Sequence, residues 1–121
     1  MSLGSRETPE IRIFEYAEDA PVLRTVQNAV DAIGRAMAAS ASVVILPMDR
    51  LDPAFFELRT GLAGEMLQKF VNYRLKVVIL GDHAQLASQS IPLRDFIRES
   101  NRGSSIWFVA DRKELETRLG M

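Results

Sequence analysis

The sequence predicts an α/β domain: one mixed sheet of about four strands with about four helices packed on it. Three observations lead there. Runs at 10–16, 42–46, 75–80 and 105–110 have the alternation or unbroken apolarity of strands, and each is followed by a segment that reads as helix. One run, Val43-Val44-Ile45-Leu46, is apolar without a break and stops at Pro47, as a strand covered on both faces does. With 121 residues, the chain has the size of one domain that can bury its own core.

The first strand places Ile11, Ile13 and Glu15 on one face and Arg12, Phe14 and Tyr16 on the other. Asp19-Ala20-Pro21 reads as a helix start, with proline tolerated in the first turn. Val22, Val26, Ala29, Val30, Ile33 and Met37 then recur at helical spacing, with the helix ending near Ala39. After the second strand, 48–53 reads as a loop and Pro53-Ala54-Phe55-Phe56 as a short helical turn. A second long helix is expected over 60–73, with Leu62, Ala63, Met66, Leu67, Phe70 and Tyr73 as its apolar stripe. Residues 83–90 are polar and read as a loop after the third strand. The third long helix covers 92–102, with Gly103 suited to a left-handed C-terminal cap. The fourth strand leads to Asp111 and Glu114, spaced as a capping box for a last helix that turns Leu115 and Leu119 inward.

Composition excludes several function classes. There is no cysteine, hence no disulfide, thiolate nucleophile or thiolate-bound metal. His83 is the one histidine, so no metal site and no cofactor is expected. Fifteen basic and 16 acidic side chains give a net charge of -1, and neither nucleic acid nor membrane is an expected partner. No apolar run reaches the roughly 20 residues of a membrane span, and residues 1–9 lack the apolar core of a secretory signal. These nine are expected to be a disordered leader, 10–121 the single domain, and the cytoplasm its location.

Two strings carry a resemblance. Phe55 to Tyr73 contains Ala63-Gly64-Glu65, Leu67-Gln68-Lys69-Phe70 and Asn72-Tyr73, and Arg94 to Gly103 ends in Glu99-Ser100-Asn101-Arg102-Gly103. With Val78-Ile79-Leu80-Gly81-Asp82 between them, they resemble the bacterial domain-of-unknown-function family 4180, over about residues 10 to 119. The order of elements is also similar to STAS domains, the sulfate-transporter and anti-sigma-factor-antagonist modules. Those domains bind proteins, nucleotides or lipids, and some are phosphorylated on a Ser or Thr in a short turn. The corresponding string here is Leu58-Arg59-Thr60-Gly61-Leu62, which lacks the aspartate expected before the hydroxyl.

The resemblance implies a STAS-like regulatory or interaction module that binds a protein partner or small-molecule ligand through the start of the Thr60 helix. Thr60 itself reads as an N-cap. Glu65, Gln68, Lys69 and Asn72 form a polar helix stripe, which is a binding face or simply a solvated surface with a Glu65–Lys69 pair. Asp82 follows a predicted central strand, where open α/β sheets gather ligands. Glu99 stands near a helix C-terminus, an unfavourable place for a carboxylate, beside Asn101. If Asp82, Glu99 and Asn72 converge, the alternative is a small enzyme or a nucleotide- or metabolite-binding protein. A third reading makes the chain a homo-oligomer with Phe55 and Phe56 in the subunit contact.

Overall fold

The computed structural model describes residues 11–120; the expected leader at 1–9 lies outside them. The element order is β1 (Ile13–Glu15), α1 (Val26–Ala38), β2 (Val43–Pro47), α2 (Leu62–Asn72), β3 (Lys76–Leu80), α3 (Ala84–Gln89), α4 (Ile91–Arg102), β4 (Ile106–Val109) and α5 (Arg112–Leu119). Three short 3-10 turns, Met48–Arg50, Pro53–Phe56 and Leu58–Thr60, lie between β2 and α2.

The strands pair in the order β1-β2-β3-β4, and every pair is parallel. The expected mixed sheet is therefore corrected to a parallel one. Each connection contains a helix that carries the chain back to the edge where the previous strand began, so the next strand runs the same way. Because the strands follow in sequence order, right-handed crossovers place their helices on one face. Val44, Leu46, Val77, Ile79 and Phe108 point into that face, against Ala29, Ile33 and Ala36 of α1, Met66, Leu67 and Phe70 of α2, and Leu93 and Ile97 of α4. On the opposite face Val43, Ile45, Val78, Trp107 and Val109 meet Leu115 of α5. Phe14 packs against the main core, while Ile11 and Ile13 remain exposed.

Several boundaries differ from expectation. Helix α1 begins at Val26, because Thr25 and Asn28 form the capping box: the Asn28 amide donates to the Thr25 hydroxyl at 3.2 Å and the Thr25 amide to the Asn28 side chain at 3.0 Å. Ahead of it, Leu23 is drawn into a bridge with Leu51, which keeps the Asp19–Pro21 stretch out of the helix. Small Ala32 and Ala36 face inward on α1 and Met37 points out. The segment after β3 contains a helix, α3, where a loop was expected; it has no fully buried side chain and so lacks an apolar stripe to read. Gly103 is extended, with φ −85°, and no left-handed cap forms there.

Candidate functional site

The C-terminal ends of β2 and β3 lead into the two walls of a cleft. One wall is the pair of 3-10 turns before α2. Asp52 caps the first of them, its carboxylate accepting from the Ala54 amide at 2.9 Å ahead of Pro53. Thr60 ties the pair together: its hydroxyl lies 2.8 Å from both the Ala54 and Glu57 carbonyls and accepts from the Leu62 amide at 3.2 Å. Gly61, at φ 77°, is the N-cap of α2, a left-handed position that favours glycine. Thr60 is thus a turn fastener one residue ahead of the cap, which corrects its expected capping role.

The opposite wall comes from Leu86 and Gln89 of α3 and Pro92 and Leu93 of α4. Ser90 between the two helices accepts from the Leu93 amide and opens α4. Phe55 is 1% exposed and belongs to the core, so it is not available for a subunit contact. Phe56 stands edge-on to it at 5.1 Å and lines the cleft with Pro53 and Leu58. The cleft encloses about 530 Å³, within the size range of ligand pockets. Its lining is mixed, the apolar side chains of Phe56, Leu58, Leu86 and Leu93 standing beside Glu57, Arg59, Gln89 and Ser90. Its rim carries Glu57 and Arg59, whose charged atoms lie 3.9 Å apart.

The other predicted site residues are not gathered there. Glu65, Gln68, Lys69 and Asn72 are exposed along α2. Gln68 donates to Asn72 at 2.8 Å, whereas the expected Glu65–Lys69 pair is absent from the ion pairs of the described residues. Asn72 ends α2 ahead of β3, and Asp82 follows that strand, so the strand's five residues, roughly 16 Å, separate them. Glu99 projects into solvent and bonds Arg102 at 3.1 Å, the compensation its unfavourable helix-end position calls for. Asp82, Glu99 and Asn72 do not line the cleft.

Asn101 serves β4. Its amide nitrogen donates to the Phe108 carbonyl at 3.2 Å and its oxygen accepts from the Phe108 amide at 2.7 Å. This pairs the outer edge of an edge strand that has no neighbouring strand on that side. Gly81, which precedes Asp82, has φ 155°, and a Cβ there would sit 2.7 Å from the Cβ of Met48. The turn after β3 thereby packs closely on the turn after β2. His83 stacks edge-on to Phe108 at 6.1 Å. Among the described residues no group of three His, Asp or Glu side chains could hold a metal ion.

Sequence reading named Phe56 only as a subunit contact and missed Leu58, Leu86 and Pro92. A signal existed: two adjacent aromatic rings, Phe55 and Phe56, in the segment between the buried second strand and the next helix.

Fold and cleft define a small parallel α/β domain with a recess at the carboxyl edge of its sheet. The chain belongs to the family described as Domain of unknown function (DUF4180), which matches it over residues 8–119. Among curated proteins and among solved structures nothing matches it.

Proposed function

We propose that this chain is a non-catalytic binding module, regulatory in the manner of STAS domains, whose recognition surface is the cleft between the 3-10 turns and α3–α4. One observation carries the reading: a recess beyond the C-terminal ends of two central parallel strands, lined by the apolar Phe56, Leu58 and Leu86 together with the polar Arg59 and Gln89. The occupant that suits it is an apolar side chain of a partner protein. The apolar side chains of the lining offer contact area, and its charged ones offer orientation. An enzymatic reading finds no comparable support, since Asn72 and Asp82 stand at opposite ends of β3 and Glu99 is exposed and bonded to Arg102. Among the described residues no helix is long and apolar enough to cross a membrane.

The test is affinity capture with the whole chain as bait from extract of its native host. Arg59→Glu is the cleft variant, because Arg59 is 88% exposed and its replacement leaves the core untouched. Lys69→Glu on α2 is the control. Loss of a specific, stoichiometric partner by Arg59→Glu alone supports the reading. Equal recovery by both variants and wild type rejects it. A thermal-shift screen over metabolites runs beside it, and a stabilisation erased by Asp82→Asn would favour the small-molecule alternative instead.

A further inference from the structure

The cations of this chain fall into two groups. Arg24, Arg50, Arg59, Arg94, Arg98, Arg102 and Arg112 each lie within 4.0 Å of a carboxylate oxygen. Arg12, Arg35, Lys69, Arg74, Lys76, Lys113 and Arg118 have no such partner among the described residues, and of these Arg74 and Lys76 share one recess. Arg74 and Lys76 both line a separate cavity of about 260 Å³ at the N-terminal edge of the sheet, opposite the cleft, between the starts of β2, β3 and β4.

Ser42, just before β2, and Ser104 and Ser105, just before β4, complete its polar lining. No carboxylate contributes to it. The Ser42 hydroxyl makes only a long 3.4 Å contact, to the Arg12 carbonyl. The Lys76 ammonium is held in place from two sides: it donates to the Ser104 carbonyl and stands 3.9 Å from the centre of the Trp107 ring. Arg118 lies 4.1 Å from the same ring centre. Burial, reinforced by the positive charge of Arg118, lowers the Lys76 pKa from the usual lysine value. The fold thus holds an ammonium in an environment that disfavours its charge, with no carboxylate to compensate it.

Arg74 occupies the turn that ends α2 at φ 60°, a left-handed conformation that favours glycine. The Leu75 amide bonds back to the Phe70 carbonyl at 3.1 Å and the Arg74 amide to the Val71 carbonyl at 2.9 Å, so the turn geometry is fixed. Ser40 adopts the same conformation after α1, so the conformation alone points to nothing. What distinguishes Arg74 is the company of Lys76 and the serines in one recess.

We propose that the recess formed by Arg74, Lys76, Ser42, Ser104 and Ser105 binds a phosphate-type oxyanion, either the free ion or the phosphate of a small monoester. The charges of Arg74 and Lys76 neutralise the dianion, and the serine hydroxyls can donate to its remaining oxygens. The site stands apart from the cleft, and neither depends on the other.

The experiment is an amide-resolved NMR titration of the whole chain at low ionic strength. The probes are inorganic phosphate and phenyl phosphate, and Arg74→Gly and Lys76→Met are the variants. The first variant removes the cation while relieving the left-handed turn, so it should melt higher than wild type while binding at least tenfold more weakly. The second keeps the apolar stem over Trp107 and should also lose at least tenfold. Arg35→Gln and Lys69→Gln, cations in the last turns of α1 and α2 outside the recess, should bind as wild type does. Saturable shifts confined to residues 42, 74–76 and 104–105 support the site. Tighter binding of phenyl phosphate identifies an ester as the ligand, and equal binding the free ion. Non-saturating shifts, shifts spread over all helix ends, or shifts unchanged in both Arg74→Gly and Lys76→Met overturn it.

Discussion

Replacing Asn101 tests whether the edge of β4 depends on a single side chain. Asn101→Ala removes two hydrogen bonds, at 2.7 and 3.2 Å, and leaves both the amide and the carbonyl of Phe108 without their partner. A net hydrogen bond contributes about 1 kcal/mol, so the pair contributes about 2 kcal/mol. Alanine is the better helix former by about 0.6 kcal/mol in the last turn of α4, which offsets part of that. The expected loss is therefore about 1.5 kcal/mol. In urea, with a slope of about 1.5 kcal/mol per molar, the midpoint should fall by about 1 M. Arg118 bonds the backbone carbonyl of Asn101 at 2.7 Å, and the substitution keeps that contact. Hydrogen exchange supplies a local readout, since the Phe108 amide should lose protection more than the amides of β2. A loss under 0.5 kcal/mol, with the Phe108 amide still protected, would show that water replaces the asparagine freely and would refute the edge-clamp argument.

Other substitutions read out the turns and the helix near the cleft. Thr60→Ala should cost about 1 kcal/mol by releasing the hydroxyl that joins the two 3-10 turns, while Thr60→Ser should be nearly silent in thermal melts. Equal stability of the alanine and serine variants would remove the fastener role. Gly81→Ala should cost more than about 2 kcal/mol, because its Cβ would meet Met48 at 2.7 Å and φ is 155°. Gly64→Ala, with nothing within 4 Å of its added Cβ, should instead stabilise α2 by roughly 0.5–1 kcal/mol in the same assay.

The strands were legible because their burial is written in composition. β2 is buried at all five residues, and an unbroken apolar run permits little else. Helix α2 was legible for the converse reason: one side of it is buried and the other is wet, and the periodicity records the difference. Helix α3 hid because it buries nothing fully, so no stripe marks it. The start of α1 was misread because proline at 21 is compatible with a helix start, while the reciprocal bonds of Thr25 and Asn28 are the stronger signal. Strand direction was legible in the alternation of strands and helices, which returns the chain for parallel pairing, whereas the order of the strands is written in no strand's own residues. At the candidate site, Thr60 lay in the right neighbourhood, but the cleft itself joins turns from 53–59 to helices from 86–93 and exists only in the fold. Asn101 drew attention as a polar residue at a helix end, and its partner is a backbone seven residues later in the chain.

Site-specific photo-cross-linking in the native host tests the binding cleft most directly. A photoreactive residue replaces Gln89 on the cleft rim in one strain and Lys69 on the exposed side of α2 in another. The cleft account predicts one defined covalent adduct from position 89 after irradiation, lost when Arg59→Glu is added, and none from position 69. An adduct from position 69 with none from position 89 would contradict it and move the interface to the Glu65, Gln68, Lys69 and Asn72 stripe.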